Sequence, residues 1–277
     1  MFYEINNHKY IPFYGILQYW PPRSSRGYCN RNFNHSHTAF NSFMTYDSVF
    51  ISDVHLGTTR CNTQKLFKFL KELKTKKLVL VGDILDIACM EKYNTRWKRE
   101  HTECVHQILN MAKKGTEVVY ILGNHEAQIR RYCDFEHHNF QMVDEYVHKD
   151  SKGNKFLCVH GDKYSEFSSG SWKQLMFNKG YEFITPISMF LERFFRFSLV
   201  YALKNSVRGK NYINQYETDI ASYCVQRDKK FDGVICGHIH SPNIRNFDKI
   251  TYMCCGDWVD QCTAIVEKNG IYALEKY

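Results

Sequence analysis

The fold of this chain is decided by the stretch Val49-Phe50-Ile51-Ser52-Asp53-Val54-His55-Leu56-Gly57, an apolar run that leads into an acid and a histidine. Its first three residues predict a short buried strand. Asp53 and His55 follow where this strand should end, and residues two apart in an extended chain point to the same side. A carboxylate and an imidazole should therefore project together from the carboxyl end of the strand, where open α/β sheets bind their ligands.

Four later segments repeat this arrangement of an apolar run followed by polar residues. Each run is rich in Val, Ile or Leu, and each ends in side chains that can bind a metal ion or carry a proton. A single Asp-x-His is weak evidence, whereas five such segments in order indicate one shared site. The four later segments are Gly82-Asp83, Gly123-Asn124-His125-Glu126, His160-Gly161-Asp162 and Gly237-His238-Ile239-His240.

Strands and helices alternate along most of the chain, which predicts an α/β fold with a largely parallel sheet. The hairpins late in the sequence predict a second, more antiparallel sheet packed on the first. The predicted helices are Thr63–Lys74, Thr95–Lys114 and a segment from His125 to about Tyr132. The predicted strands are Val49–Ile51, Leu78–Val81, Glu117–Leu122, Gln141–Lys149, Lys155–Val159, Phe231–Cys236, Ile250–Cys255, Cys262–Glu267 and Ile271–Leu274.

Two parts of the chain depart from this alternation. Residues 1–43 show no sustained helical or strand period, and we expect a poorly ordered extension before a domain that spans residues 44–277. The segment at about 165–228 is aromatic and basic, and its pattern predicts a helical insertion. This insertion is either a helical hairpin packed on the core or a cap whose apolar face receives a greasy ligand or lies on a membrane.

The composition limits the class of protein without choosing a substrate. The 277 residues carry a formal net charge of +8, which favours an anionic partner such as a phosphorylated substrate, nucleic acid or a membrane surface. The eleven cysteines contain no Cys-x-x-Cys pair, so we expect reduced thiols rather than a disulfide framework. No apolar run approaches the roughly 20 residues needed to span a bilayer. We expect a cytoplasmic protein that contacts a membrane, if at all, at its periphery.

The polar residues at the predicted strand ends form a set that suits divalent metal ions. Carboxylates, imidazoles and one amide oxygen bind borderline or hard ions, with Mn as the first expectation and Fe, Zn or Mg as alternatives. Asp83 would follow a central strand and is the natural bridge between two ions. Two ions about 3.5–4 Å apart can hold hydroxide between them and bind a phosphoryl oxygen. The candidate ligands are Asp53, His55, Asp83, Asn124, His160, His238 and His240.

These five segments, in this order, resemble the motifs of the calcineurin-like metallophosphoesterases. The resemblance covers residues 46–267 and implies a four-layer αββα sandwich with two metal ions. It implies that His125 is the catalytic histidine beside the leaving group and that Asp86 orients His125. By the same resemblance, the first ion would be held by Asp53, His55, Asp83 and His240, and the second by Asp83, Asn124, His160 and His238.

Within that superfamily the chain is similar to the UDP-2,3-diacylglucosamine pyrophosphatase-like proteins. The similarity implies a nucleotide-linked lipid such as UDP-diacylglucosamine as substrate, and an insertion that caps its acyl chains. This chain differs from the lipid A enzymes at the residue after the metal-binding Asn, where it has His125 and those enzymes typically carry Arg. Arg193, Phe194 and Trp258 are the candidate substrate-binding residues, although core packing is an equal alternative for Trp258. The segments that carry the similarity are Ile51–Gly57, Val159–Asp162, Cys236–Pro242 and Gly256–Val259.

Two other function classes remain open from the sequence. A nuclease of the same superfamily would use the same ions, but its basic residues should line a long groove with interleaved aromatics. In this chain the basic residues concentrate in the insertion instead, which disfavours nucleic acid as a partner. A non-catalytic interaction module on the same fold would not need a complete set of ligands, and here every ligand position is filled.

Overall fold

The computed structural model of the protein describes four stretches of the chain, which are residues 45–165, 207–228, 230–248 and 250–277. The expectation of a poorly ordered extension over residues 1–43 lies outside these stretches and stays a prediction. Most of the predicted insertion also lies outside them, and with it Arg193 and Phe194. The carboxyl-terminal part of the insertion is described, and it is helical as predicted, over Val207–Arg227.

Twelve strands form two sheets in the described stretches. The seven-stranded sheet has the order β12-β11-β1-β2-β3-β5-β4 and the five-stranded sheet the order β6-β7-β8-β10-β9. The strands are β1 Thr45–Ile51, β2 Lys74–Val81, β3 Glu117–Ile121, β4 Phe135–His137, β5 Phe140–Val143, β6 Tyr146–Lys149, β7 Lys155–Cys158, β8 Gly233–Cys236, β9 Asn243–Phe247, β10 Ile250–Cys254, β11 Thr263–Lys268 and β12 Ile271–Lys276.

Helices cover the outer face of each sheet, so the fold has four layers in the order α, β, β, α. The side chains of β1 alternate between the two faces of its sheet. Val49 and Ile51 pack in the core beneath the helices Thr63–Glu72 and Arg99–Lys113, whereas Phe50 packs in the core between the two sheets. The other face of the five-stranded sheet packs on α5, through Tyr216 and Ile220. The helices are α1 Thr63–Glu72, α2 Ile87–Tyr93, α3 Arg99–Lys113, the 3₁₀ segment Asn124–Tyr132, α4 Asp162–Ser165 and α5 Val207–Arg227.

The expected four-layer α/β fold is confirmed, and the parallel strands lie where the sequence indicates. In the larger sheet, β1, β2, β3 and β5 are parallel neighbours, and in the smaller sheet β7, β8 and β10 are. Parallel neighbours end at the same edge of a sheet. The polar residues that follow β1, β2 and β3 are therefore brought to one edge, and those that follow β7 and β8 to the matching edge of the other sheet.

Two local predictions are wrong. The predicted single strand Gln141–Lys149 is two strands, because the chain leaves the larger sheet after Val143 and enters the smaller sheet at Tyr146. The final hairpin of β11 and β12 was expected in the second sheet, but β11 pairs antiparallel with β1 in the larger one. The pattern of apolar residues is the same for either sheet, so it could not assign these strands.

The predicted helix Thr95–Lys114 also needs correction, because it begins only at Arg99. A separate short helix, α2, precedes it and ends at Tyr93, and the next residue, Asn94, caps it in the left-handed conformation with φ 48°. Ten cysteines lie in the described stretches, and all ten are free thiols, as expected. No helix in the described stretches is long and apolar enough to cross a membrane.

Candidate metal centre and active site

The carboxyl ends of the central strands bring the seven predicted ligands into one cluster. Each of them has a polar side-chain atom within 3.4 Å of such an atom in another member of the set. All five strand ends that the sequence indicated contribute to the cluster. The seven are Asp53 and His55 after β1, Asp83 after β2, Asn124 after β3, His160 after β7, and His238 and His240 after β8.

Asp53, His55 and His240 form the first of two groups. His240 Nε2 lies 3.0 Å from Asp53 Oδ1 and 3.4 Å from His55 Nε2. The Asp53 side chain is fully buried, and its Oδ1 accepts no hydrogen bond of normal geometry from the described residues. A buried carboxylate oxygen without a donor is costly unless a cation neutralises it. The three residues therefore fit a metal ion at the point where their atoms converge.

Asp83, Asn124, His160 and His238 form the second group. His160 Nε2 lies 3.3 Å from Asp83 Oδ2 and 3.2 Å from Asn124 Oδ1. His238 Nδ1 approaches the same amide oxygen of Asn124 to 3.1 Å. Carboxylate, amide and imidazole atoms again converge, with no thiol among them, which is the ligand chemistry of a borderline or hard divalent ion.

Asp83 lies between the two groups. Its carboxylate and ligand atoms of Asp53 and His160 fall within 4.8 Å of one another, and the same limit holds for His55, Asp83 and His125. Asp83 Oδ1 also accepts a hydrogen bond from the backbone N–H of His125 at 2.9 Å. A Cβ atom at Gly123 would collide with this carboxylate, so glycine is required there. One carboxylate therefore faces ligands from both groups.

In two histidines the outer ring nitrogen, which is the Nδ1 on the side of the ring away from the cluster, donates a hydrogen bond to a fixed acceptor. His55 Nδ1 donates to Asp86 Oδ2 at 2.9 Å, and His160 Nδ1 donates to the Val81 carbonyl at 3.0 Å. A proton fixed on Nδ1 leaves the lone pair on Nε2 available to a metal ion. In both residues Nε2 is the atom that faces the other members of its group.

Asp86 also holds His125, in the contact that the sequence predicts. His125 Nδ1 lies 2.6 Å from Asp86 Oδ1, which in addition caps α2 by accepting from the N–H of Cys89. Burial by itself would lower the pKa of His125. The hydrogen bond to Asp86 and the negative charge of Asp83 outweigh it and raise that pKa to about 9. One carboxylate thus orients an imidazole of the first group and the predicted catalytic histidine.

The buried charges of the cluster stabilise one another. Burial would raise the pKa of Asp53 and Asp83, but the nearby imidazoles, chiefly His240 and His160 respectively, hold both pKa values below their usual range. Burial opposes a charge on His160, yet the charge of Asp83 and a hydrogen bond to it keep its pKa well above normal. Burial and then the charge of His160 lower the pKa of His238 to about 4.

The backbone at the predicted ligands is unusual. Five of the seven have φ between 48° and 71°, in the left-handed region that non-glycine residues seldom adopt. Such conformations cost of order 1–3 kcal/mol each and persist where the surrounding structure imposes them. They turn the chain sharply as it leaves each strand, so that neighbouring side chains face the cluster. The five are Asp53, His55, Asp83, His238 and His240.

Glu126 is a structural element of the site for which the sequence predicted no role. Its carboxylate is fully buried and accepts from the backbone N–H groups of Asp83, Leu85 and Gly123 at 2.8–2.9 Å, and from the hydroxyl of Tyr120 at 2.7 Å. It therefore ties the loop after β2 to the loop after β3. Its position directly after His125 places it near the site, but Asp83 and Leu85 are distant in sequence, so these partners could not be inferred.

Trp258 lies in the core. Its side chain is fully buried and stacks on Tyr277, with 5.9 Å between the ring centroids, beside Phe69. The core-packing alternative describes this position, and a direct contact with substrate does not. The backbone N–H of Trp258 nevertheless donates to the carbonyl of Asp53 at 3.1 Å, so the loop that carries it supports the first group.

Comparison with known proteins agrees with this geometry. The profile of the calcineurin-like phosphoesterase family matches residues 48–242. A protein named UDP-2,3-diacylglucosamine hydrolase from Aliivibrio fischeri is 26% identical over 253 residues, covering 82% of this chain and 97% of its own length. A protein of the same name from Neisseria meningitidis is 22% identical over 245 residues, with 83% and 99% covered.

Among solved structures, the chain is similar to YfcE, a phosphoesterase from E. coli, with a TM-score of 0.44 and 12% identity over 82% of this chain and 90% of that chain. The family profile spans well over half of the sequence and contains all seven residues of the cluster. The chain belongs to the calcineurin-like phosphoesterase family and is a metal-dependent phosphoester hydrolase.

Proposed function

We propose that this phosphoesterase binds two divalent metal ions and hydrolyses a phosphodiester or pyrophosphate bond in a nucleotide-linked lipid such as UDP-diacylglucosamine. The position of Asp83 is the observation that carries the two-ion part of the proposal. Its carboxylate lies within 4.8 Å of ligand atoms of Asp53 and His55 in the first group and of His160 in the second, and a carboxylate can bridge two cations. The buried Asp53 Oδ1, which lies 3.0 Å from His240 Nε2 but accepts no hydrogen bond of normal geometry from the described residues, supports a cation in the first group.

The proposed ligands divide between the two ions as the sequence motifs imply. Mn is the first candidate, with Fe, Zn or Mg as alternatives, because the donor atoms are carboxylate, imidazole and amide. Bound there, the ions would activate a water molecule as nucleophile and neutralise charge on the phosphoryl oxygens. Asp53, His55, Asp83 and His240 would hold the first ion, and Asp83, Asn124, His160 and His238 the second.

His125 is proposed as the general acid for the leaving oxygen. Its side chain is 32% exposed, so it is accessible to a substrate beside the buried ligands. Asp86 holds Nδ1 and leaves Nε2 as the atom that delivers a proton. The alternative role is that of a ligand, because His125 also forms a cluster with His55 and Asp83. His125→Ala separates the two roles, because loss of a ligand would empty the metal site, whereas loss of a general acid would not.

The choice of a lipid-linked nucleotide rests on the relatives. They are named UDP-2,3-diacylglucosamine hydrolase, and this chain covers 97% of the length of the first of them. The net charge of +8 is compatible with an anionic substrate. The predicted cap residues Arg193 and Phe194 and the predicted peripheral membrane contact stay part of this proposal. No observation in the described chain favours a nucleic acid.

The first test is hydrolysis by the full-length protein with and without metal. We expect EDTA to abolish hydrolysis of UDP-2,3-diacylglucosamine and of an aryl phosphodiester, and added Mn²⁺ to restore it. Elemental analysis should find about two ions per chain. A single ion per fully active chain would contradict the dinuclear arrangement, and full activity in excess EDTA would contradict any metal mechanism.

The lipid part of the proposal has its own test. Replacing the predicted cap residue Phe194 and the adjacent Phe195 with Ser should weaken turnover of the lipid-linked substrate and leave that of a small aryl phosphodiester nearly unchanged, since only the former needs an apolar cap. Equal losses on both substrates, together with a lower melting temperature, would instead favour packing of these residues on the core.

A further inference from the structure

The outer ring nitrogen of His240 faces a residue to which no role has been assigned. In His55 and His160 the outer nitrogen donates to an acceptor at 2.9 and 3.0 Å, which directs Nε2 to the cluster. The Nδ1 of His240 faces the carboxylate of Asp257, with 3.8 Å to Oδ2. Its Nε2, on the opposite side of the ring, is the atom 3.0 Å from Asp53 Oδ1.

Asp257 is held rigidly in this position. Its side chain is 1% exposed, and its Oδ1 accepts from three successive backbone N–H groups at 2.6–3.1 Å, those of Val259, Asp260 and Gln261. These bonds use one oxygen of the carboxylate to close the loop. The second oxygen, Oδ2, remains directed to His240.

The same loop is fastened to two proposed ligands of the first ion. Gln261 Nε2 donates to the backbone carbonyl of His240 at 2.9 Å and to Asp257 Oδ2 at 3.5 Å. The backbone N–H of Trp258 donates to the carbonyl of Asp53 at 3.1 Å. The loop therefore sets the backbone position of both residues, and its Asp257 faces the Nδ1 side of the His240 ring while Asp53 faces the Nε2 side.

We propose that Asp257 is a positioning residue for His240, and that it selects the ring orientation and tautomer in which Nε2 faces the ion shared with Asp53 and His55. The inference rests on the proposed two-ion function. Its physical basis is that a carboxylate beside Nδ1 keeps the proton on that nitrogen and the lone pair on Nε2. Loss of such an outer carboxylate typically weakens metal affinity by about 10–100-fold.

The test is binding of Mn²⁺ alone to full-length Asp257→Asn, measured by equilibrium dialysis and elemental analysis. The Asn side-chain oxygen still accepts from the loop N–H groups, whereas its NH₂ group would face His240 and favour the wrong tautomer. We expect one of the two ions to bind about 10–100-fold more weakly, with the other unchanged. Raising the Mn²⁺ concentration should rescue activity, and the melting temperature of the metal-free protein should match wild type.

Two controls make the result specific. Asp260→Asn removes a charge from the same loop, where its carboxylate lies 3.7 Å from Arg60, and should leave both affinities as in wild type. In a protein that already carries His240→Ala, Asp257→Asn should have no further effect on Mn²⁺ binding, because the residue acts through His240.

Three outcomes would overturn the inference: unchanged affinity of both ions in Asp257→Asn, an equal loss in Asp260→Asn, or a further loss in the His240→Ala background. Each of these leaves the proposed function standing. A wild-type protein that binds no divalent ion would instead contradict the proposed function itself, so the two failures are distinguishable.

Discussion

His160 at the metal centre and His148 between the two sheets are equally buried, at 1% exposure each, yet their surroundings differ. His160 Nε2 lies 3.3 Å from Asp83, whose charge keeps the pKa of the imidazole well above normal despite burial. His148 packs edge-on against Phe50, and neither of its ring nitrogens has a hydrogen-bond partner in the described chain; the nearest carboxylate, that of Glu267, lies 3.7 Å from its Nε2. Burial and then the charge of Lys77 lower its pKa to about 4.

This comparison shows that neighbours, rather than depth, decide what a buried histidine can do. Both residues follow a valine, as Val147-His148 and Val159-His160, and they belong to β6 and to the end of β7, which are neighbours in the smaller sheet. His148 lies within its strand, so its side chain points into the space between the sheets. His160 lies just past the end of its strand, where other strands also end and their polar residues converge. The sheet edge, and not the histidine alone, makes the site.

The largest expected effect comes from removing the carboxylate that distinguishes the two environments. Asp83→Asn should reduce hydrolysis to background, because a neutral amide is a poor bridge between cations. In the metal-free variant the pKa of His160, followed by NMR, should fall as its main favourable charge is lost. Retained hydrolysis in Asp83→Asn would contradict the bridging role, and an unchanged pKa would show that other groups control His160.

His125→Ala should lower turnover by about 10²–10⁴-fold, the usual contribution of a general acid, with metal content near wild type. The loss should be smaller for a nitrophenolate leaving group, which needs little protonation. Asp86→Asn should also reduce metal affinity, because Asp86 holds His55 as well as His125. If His125→Ala empties the metal site, His125 is a ligand. An equal loss with good and poor leaving groups would mean that it positions the phosphoryl group.

Glu126→Gln tests how the polar site is held together. Each oxygen of Glu126 accepts from two buried donors, and the amide NH₂ of Gln would replace one of these oxygens. Two donors would lose their acceptor, so the unfolding free energy should fall by at least about 2 kcal/mol. Tyr120→Phe is the matched control, since it removes only one of the hydrogen bonds to Glu126 and should cost about 1 kcal/mol. Urea unfolding of both variants measures this. Equal stabilities for the two would contradict the role of Glu126 in joining the loops.

The smallest effect concerns His148 and appears only in acid. Its pKa is about 4 in the folded protein and about 6.5 when unfolded, so the unfolded chain binds the extra proton first as pH falls. The stability this group contributes is complete above pH 6.5 and decreases toward pH 4, by up to about 3 kcal/mol. His148→Leu should remove that part of the pH dependence in urea unfolding between pH 7.5 and 4.5.

If His148→Leu leaves the pH dependence of the unfolding free energy as in wild type, His148 is hydrated or paired in the folded state. The contrast with His160 would then be smaller than the structure indicates.

The sequence by itself determined the α/β fold, the order of the motifs and all seven residues of the cluster. These depend on local pattern, because an apolar run followed by polar residues marks the end of a buried strand wherever that strand lies. The contact of Asp86 with His125 was inferred from the family resemblance and is present. The extension, the insertion, Arg193 and Phe194 stay predictions.

Only the tertiary structure decided to which sheet each strand belongs. This assignment in turn decided which residues surround each buried charge. The break between β5 and β6 and the insertion of β11 beside β1 are pairings of distant segments, which periodicity does not specify. For the same reason the sequence could not show that Glu126 joins two loops, that Asp86 holds His55, or that Asp257 faces His240. The left-handed backbone of five proposed ligands likewise arises where packing overrides the local preference of Asp and His.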